Sequence, residues 1–363
     1  MGQHLLSDHT TLRLGGPAPL WYAHTDPAVW DDIVRTAGEH GVCPFTLGGG
    51  SNTLADDHGT DRPVIHMTTR GIHIHPAGDG QVEVTVQAGH ALADLVAHTV
   101  AEGLSGIEYL GGIPGTAGAA PVQNAGAYGQ EIGDTLTTVT AHDWTTRRTI
   151  RLTATECGFG YRASIFKHHP GRWTILSLTL RLTRSTAAAP VQYQHLATTL
   201  DVPVGTRPAL AEGAAAVLQD RQMRGLLLPD SGQDQRQAGS CFLNPTITTA
   251  QADRLRTLKA PLHTIPAGRW RASAGWLLEQ SGFQPGAEVA PGVRCSSRRT
   301  LTLTAQPGAT GSTFQQALDT MATRVRETTG TTLNPEPALV QPRRSVALRE
   351  TTATGCPTMA LGA

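Results

Sequence analysis

Hydrophobic residues that alternate with polar ones mark the predicted strands of this chain. Val82, Val84 and Val86 are separated by polar residues, a spacing that predicts a half-exposed strand. The same alternation runs through residues 135–152 and 173–182, where it predicts antiparallel strands. A sheet is therefore expected in the middle of the sequence.

Helical spacing marks a second set of segments. Asp26 followed by Pro27 is typical of a helix N-terminus, and apolar residues then recur three and four positions apart until Gly41. Further helices are predicted at 92–100, 273–280 and 314–327, and short strands at 42–47 and 301–304. Because helices and strands are mixed along the chain, the sequence predicts an α+β fold.

Charge and length narrow the class of protein. The 29 basic residues equal the 29 acidic ones, so no net field favours nucleic acid or an anionic membrane. No apolar run approaches the length of a membrane span. A chain of 363 residues is expected to form several domains. The balanced charge therefore predicts no nucleic-acid partner and no membrane partner.

Cysteine and histidine spacing argue against disulfide and metal frameworks. The five cysteines are widely separated without a Cys-x-x-Cys pair, which favours free thiols in a reducing compartment, the cytoplasm. His73 and His75 alternate with isoleucines and are expected to face outward from a strand. No third ligand is evident near them, so no metal site is predicted.

Two glycine-rich stretches are the strongest chemical signals. The run 48–52 follows a predicted strand, and glycine backbone can turn successive N–H groups toward a phosphate. Taken alone, this run is equally compatible with a plain tight turn. The longer stretch 111–129 holds too many glycines for a regular element, and it carries Gln123 and Asn124, whose amides could contact a heteroaromatic ring.

Several motifs in register resemble one family. They are Leu47–Asn52, Gly106–Leu110, Ile113–Gly129, Cys157–Ser164, Ala238–Ser240, Asn244-Pro245, Ala274–Leu277 and Asn334–Pro337. Together they resemble the UDP-N-acetylenolpyruvoylglucosamine reductase family across residues 9–340. The resemblance implies an FAD-dependent enzyme that uses NADPH to reduce an enolpyruvyl ether to a lactyl ether in peptidoglycan synthesis.

The resemblance also implies an architecture. The fold is expected to be a three-segment FAD-linked reductase, with a vanillyl-alcohol-oxidase-like FAD-binding fold and a C-terminal substrate domain. The predicted segments are two FAD-binding subdomains at 1–69 and 70–220, a substrate domain at 221–332, a segment at 333–346 that returns to the active site, and a flexible tail at 347–363.

The family's site residues carry over onto matching positions. Arg162 matches the arginine that stabilises the developing aci-carboxylate, Ser240 the proton donor, and Glu336 a carboxylate near the substrate carboxyl. FAD contacts are implied for Gly48, Gly49, Gly50, Ser51, Asn52, Gly115, Gly118, Gln123, Asn124, Gly126, Ala127 and Tyr128. Substrate contacts are predicted for Tyr193, which resembles a substrate-covering tyrosine, and for Asn244 and Arg224.

The sequence departs from the family where basic side chains usually bind the substrate diphosphate. Leu226, Leu227 and Pro285 occupy positions where lysines are expected. Arg224, Arg271, Arg298 or Arg299 could supply the missing charge. The departures leave open a related reductase of a specialised pathway, acting on a different and diphosphate-free enolpyruvyl substrate.

Two further classes stay open at this point. A flavin-binding module without turnover would share the glycine loops, but it would have no need of Arg162, Ser240 and Glu336. An oxygen-using oxidase with a related fold is disfavoured because no histidine–cysteine flavin-attachment motif is evident.

Overall fold

The computed structural model describes residues 4–266 and 268–342, and these fall into two compact units. One unit comprises Ala18–Gly49 and Asp61–Met223. The other comprises the residues up to Pro17, Gly50–Thr60 and Arg224–Gln341. The predicted five-segment division stays a prediction, and its tail at 347–363 lies outside the described residues.

A parallel sheet forms the first part of the unit that contains Ala18–Gly49. Its strands run in the order Trp21–His24, Val64–Met67 and Phe45–Leu47. The Asp26 carboxylate accepts from the Ala28 N–H, and the turn Pro27–Val29 leads into the helix Trp30–Gly38. The predicted N-terminus is therefore confirmed, while the following strand begins three residues later than the expected Val42.

An antiparallel sheet forms the larger part of the same unit. Its order is Arg148–Thr153, Leu136–Asp143, Trp173–Arg184, Gln81–Gln87 and Ile72–Gly78, with Leu104–Ser105 beside the long central strand. Val82, Val84 and Val86 are buried in its core and the residues between them are exposed or half-buried, as the alternation predicted. His73 and His75 are exposed on the outermost strand, which confirms their expected orientation.

Helices complete this unit. They are Leu92–Ala101, Ile132–Thr135, Ile165–His168, Gln194–Leu200 and Leu210–Met223. The glycine-rich stretch 111–129 contains a short 3₁₀ turn at Ala117–Gln123 and the strand Gly126–Ala127, which forms a hairpin with Gln130–Glu131 just beyond the stretch; a further 3₁₀ turn, Glu108–Leu110, precedes it. The expectation that this stretch forms no regular element is therefore wrong for these short pieces, which are each at most seven residues long.

The other unit is built on a separate hydrophobic core. Its four-stranded sheet runs Gln237–Ser240, Thr302–Ala305, Val293–Cys295 and Glu288–Ala290. Smaller sheets join Thr246–Ile247, Arg269–Ala272 and Leu262–Ile265, and pair Thr53–Ala55 with Ala338–Val340 in parallel. The helices are Thr249–Thr257, Ala274–Gln280 and Gly311–Thr329, so the last two predicted helices are confirmed.

No helix in the described ranges has both the length and the apolar character needed to cross a bilayer.

Candidate active site

Gly48 and Gly49 of the first glycine-rich loop lie against the second loop, within the unit that comprises Ala18–Gly49 and Asp61–Met223. A Cβ added at Gly48 would meet Thr116 Oγ1 at 2.5 Å, and one added at Gly49 would meet the Gly115 Cα at 3.1 Å. At Gly118 an added Cβ would lie 2.5 Å from the Cβ of Ala88. Gly48 and Gly118 have no room for a side chain and Gly49 has little, so the two segments pack closely backbone against backbone.

The end of the second loop is held in an unusual backbone conformation. Asn124 and Tyr128 have positive φ angles of 46° and 51°. The Asn124 amide donates to Glu131 Oε2 at 2.5 Å and to the Gly160 carbonyl at 3.1 Å, and its oxygen accepts from the Gly133 N–H at 2.9 Å. The expectation that this amide is available to a ring is therefore wrong here, because the loop itself uses it.

Arg162 is fixed against the same loop. It occupies a tight turn between the bridged residues Gly160 and Ala163, with a positive φ of 51°. Its guanidinium donates to the carbonyls of Asn124 at 3.1 Å and Gly126 at 2.5 Å. Strained backbone of this kind persists where the surroundings hold it, and it is concentrated at functional sites. Three of the predicted site residues, Asn124, Tyr128 and Arg162, thus share this feature.

The other unit brings Ser240 and Glu336 onto adjacent backbone segments. Ser240 ends the strand Gln237–Ser240 and is paired with Thr302. The N–H of Glu336 donates to the carbonyl of Cys241 at 3.0 Å, directly after Ser240. Both side chains are half-buried. The predicted proton donor and the predicted carboxylate are therefore neighbours.

Asn52 supports the Glu336 segment. Its amide donates to the Glu336 carbonyl at 3.3 Å, and its own carbonyl accepts from the Ala338 N–H at 2.9 Å. Gly50, in the same loop, has a positive φ of 62°, and an added Cβ would lie 2.1 Å from the His9 carbonyl oxygen. Ser51, between them, is half-buried.

Cys241 is the nearest competitor of Ser240 as an acid. Its side chain is buried, and Sγ lies 3.0 Å from the Leu301 carbonyl oxygen. Burial raises the pKa of this thiol well above its usual range. Cys241 therefore packs as a neutral side chain.

The remaining predicted residues have clear positions. Asn244 Oδ1 accepts from the Ala274 N–H at 2.9 Å, at the start of the helix Ala274–Gln280. Arg224 is exposed, and so is Tyr193, which directly precedes the helix Gln194–Leu200. Gln123 and Ala127 are half-buried in the second glycine loop.

Sequence reasoning missed the role of Glu108. This carboxylate is fully buried and accepts from Ser105 Oγ at 3.0 Å and from the N–H groups of Gly106 and Ala189, both at 2.6 Å. The hydroxyl of Tyr109 donates to the Ala189 carbonyl at 2.6 Å. The available signal was an acidic residue inside the otherwise apolar motif Gly106–Leu110.

The facing glycine loops fit a dinucleotide cofactor. Backbone without side chains allows close approach by a pyrophosphate, and Gly48, Gly49 and Gly118, all predicted FAD contacts, have close neighbours where a Cβ would lie. Fold and loops together define the class of protein, an α+β protein of two compact units whose glycine loops are suited to a dinucleotide.

Comparison with known proteins identifies the family. The model of the FAD binding domain matches residues 23–149, and that of the UDP-N-acetylenolpyruvoylglucosamine reductase C-terminal domain matches 231–340. Proteins named UDP-N-acetylenolpyruvoylglucosamine reductase from Salinispora arenicola and Thermobifida fusca are 41% and 39% identical, over 92% of this chain and 94% and 96% of theirs. The chain belongs to the UDP-N-acetylenolpyruvoylglucosamine reductase family, and it is an FAD-dependent oxidoreductase.

The fold agrees with this assignment. The crystal structure of the reductase from Thermus caldophilus has a TM-score of 0.63 and 24% sequence identity, and the match covers 94% of this chain and 98% of that one. The predicted family resemblance and the predicted fold class are confirmed. The matched ranges include both glycine loops, Ser240 and Glu336, whereas Arg162 and Tyr193 lie outside both.

Proposed function

We propose that this enzyme reduces the enolpyruvyl ether of UDP-N-acetylglucosamine to the lactyl ether, giving UDP-N-acetylmuramate, with FAD and NADPH. The observation that carries the assignment of chemistry is the adjacency of Ser240 and Glu336 within the matched reductase domain. FAD, when bound at the glycine loops, supplies the hydride that it has received from NADPH.

Arg162 is proposed to stabilise the charge that develops on the substrate carboxylate. Hydride addition to the methylene carbon moves electron density into that carboxylate, which becomes a dianionic aci-carboxylate. A guanidinium is always charged and planar, and this one is already held in place by two backbone carbonyls. A fixed donor of this kind needs little reorganisation during the reaction.

Ser240 is proposed to donate the proton to the ether-bearing carbon. The buried, neutral Cys241 is directed toward the Leu301 carbonyl, so the serine is the better candidate of the two. A hydroxyl is a weak acid and requires assistance from neighbouring charge. The backbone of Glu336 is hydrogen-bonded next to Ser240, which supports a role for that carboxyl beside the reacting group.

The substrate diphosphate is proposed to bind arginines in place of the lysines that the family usually has. Arg224, Arg271, Arg298 and Arg299 all belong to the unit that contains Ser240. The charge of Arg299 acts on Cys241, the neighbour of Ser240. Arginine suits phosphate recognition because its planar fork can donate two parallel hydrogen bonds.

The proposal further places the enzyme in the cytoplasm as a monomer or weak dimer, without a nucleic-acid or membrane partner. It also keeps NADPH as the reductant.

Anaerobic stopped-flow spectroscopy tests the proposal in two half-reactions. The flavin is reduced with NADPH and then mixed with the enolpyruvyl ether of UDP-N-acetylglucosamine, and the visible flavin band is followed. Rapid reoxidation at micromolar substrate would support the proposed substrate. Normal reduction without reoxidation would transfer the reaction to a different, diphosphate-free carrier, an alternative that Leu226, Leu227 and Pro285 favour.

Substitution of Ser240 tests its role separately. Ser240→Ala should leave flavin reduction by NADPH unchanged and slow reoxidation by substrate by about 10²–10⁴-fold, the usual contribution of a positioned acid. Cys241→Ser is the matched control and should change neither half-reaction substantially. An equal loss in both half-reactions of Ser240→Ala would contradict the proton-donor role.

A further inference from the structure

A buried carboxylate joins three elements next to Tyr193. Asp220 lies on the helix Leu210–Met223, and its side chain is only 3% exposed. Its Oδ2 accepts from the hydroxyl of Tyr128 at 2.8 Å and lies 3.2 Å from His195 Nδ1. Tyr128 belongs to the second glycine loop, and His195 to the helix that follows Tyr193. A buried carboxylate needs such partners, and here they come from separate parts of the chain.

Three aromatic rings extend this network to the surface. The ring centroids of Tyr128 and His195 are 5.5 Å apart, those of Tyr193 and His195 5.5 Å, and those of Tyr128 and Tyr193 6.5 Å. The two residues bonded to Asp220 therefore also contact the Tyr193 ring. Tyr193 itself is 43% exposed. An exposed tyrosine is thus held on rings that a buried carboxylate fixes.

The segment before Tyr193 is held independently. Glu108 and Tyr109 bind the N–H and the carbonyl of Ala189, each at 2.6 Å. Burial raises the pKa of Tyr109 to about 12, so its hydroxyl stays protonated and continues to donate. The chain is therefore held by hydrogen bonds at Ala189, four residues before Tyr193, and by the contact of His195 with Asp220, two residues after it. Only the contact at His195 depends on Asp220.

The geometry points to Asp220 as a positioning residue for Tyr193, acting through His195 and Tyr128. The carboxylate does not contact the substrate; it holds the tyrosine ring in the position from which it covers the substrate. Fixing a contact residue before binding lowers the entropic cost of ordering it. This inference rests on the proposed function and on the prediction from the sequence that Tyr193 contacts the substrate.

Asp220→Asn tests the inference because it keeps the size of the side chain and removes the charge. The expected result is a rise of about tenfold in KM for the enolpyruvyl ether of UDP-N-acetylglucosamine, as for the loss of one hydrogen bond to a charged group, with a smaller change in kcat. Glu212→Gln removes an exposed carboxylate from the same helix and should leave both constants unchanged.

A double-mutant cycle separates positioning from a general structural effect. If Asp220 acts through Tyr193, the rise in KM caused by Asp220→Asn should disappear in a Tyr193→Ala background. If the double variant instead showed a rise in KM equal to the product of the two single rises, the substitutions would act independently and the inference would be overturned. An unchanged KM in Asp220→Asn would overturn it as well. His195→Ala removes the imidazole contact to Asp220. It should reproduce the effect if Asp220→Asn fails to fold, and a normal KM in His195→Ala would equally overturn the inference.

Hydrogen exchange gives a readout that does not depend on the substrate. Amides of residues 193–200 should exchange about tenfold faster in Asp220→Asn than in the wild type, as expected when one hydrogen bond to a charged group is lost. Unchanged exchange of these amides would refute the claim that Asp220 holds the segment 193–200. An unchanged KM in Tyr193→Ala would overturn the inference, because Tyr193 would then not contact the substrate. If the wild type is not reoxidised by this substrate, the proposed function fails, while the exchange result still decides whether Asp220 holds the segment.

Discussion

Glu108→Gln is expected to destabilise the unit that contains the glycine loops. The carboxylate is fully buried, with Oε1 accepting from Ser105 Oγ and the Ala189 N–H and Oε2 accepting from the Gly106 N–H. A glutamine has only one oxygen. Whichever way its amide is turned, its NH₂ group faces at least one backbone N–H that has lost its acceptor.

The magnitude follows from these contacts. A hydrogen bond to a charged group contributes about 1.5–3 kcal/mol, and a buried donor left without an acceptor costs about 1–3 kcal/mol. The two quantities partly describe the same lost hydrogen bond and cannot simply be added. We therefore expect a loss of about 3 kcal/mol in the free energy of unfolding. For a unit of this size that corresponds to a decrease in Tm of about 6–12 °C.

The assay is thermal and urea unfolding followed by circular dichroism, at one fixed and saturating FAD concentration because bound ligand raises apparent stability. Glu102→Gln is the matched control, since Glu102 is exposed just after the helix Leu92–Ala101. Its effect should stay within about 0.5 kcal/mol. Equal midpoints for Glu108→Gln and Glu102→Gln would refute the reasoning that the buried hydrogen bonds stabilise this unit.

Two other predictions concern the glycine loop and acid stability. Gly118→Ala should lower the ratio of flavin to protein absorbance, because the added Cβ overlaps Ala88. Gly38→Ala is the control: its added Cβ meets no atom within 4 Å, so this variant should retain full flavin. Equal flavin content in the two variants would contradict the conclusion that close packing at Gly118 is needed for FAD binding. Burial lowers the pKa values of His24 and His142 below 6.5. Below pH 6.5 the two histidines of the unfolded chain bind protons, whereas the folded imidazoles stay neutral. As the pH is lowered, the free energy of unfolding should therefore fall by up to about 2.7 kcal/mol per pH unit, which is two protons' worth. Urea titrations at two pH values measure this slope, and the same slope in a variant with both histidines changed to glutamine would show that they are not its source.

Much of the site could be predicted from the sequence because it is local. The loop 48–52 follows directly after a strand, and Gly48 and Gly49 pack against Thr116 and Gly115 of the other motif that the sequence had singled out. The comparisons confirm the family to which these motifs pointed. The roles of Arg162, Ser240 and Glu336 stay predictions, supported by their backbone settings.

Contacts between distant residues could not be predicted in this way. Asp220 is 92 residues from Tyr128, and Glu108 is 81 residues from Ala189, so no spacing rule connects them. The helices Gln194–Leu200 and Leu210–Met223 were not predicted; their buried positions pack against Tyr109 and Tyr128, which belong to distant motifs. Tertiary packing decided which hydrogen-bond donors the buried carboxylates of Asp220 and Glu108 accept from.

The sequence by itself determined the elements and the chemistry that each motif can carry. Alternation and helical spacing depend on the period of the backbone. The ability of glycine to allow close backbone approach depends on its missing Cβ. Both are properties of a few consecutive residues. Only the tertiary structure decided that the Asn124 amide is used by its own loop and that Asp220 is fixed near Tyr193. The reason is that burial and hydrogen-bond partners are set by chain segments far apart in sequence, and local pattern carries no record of them.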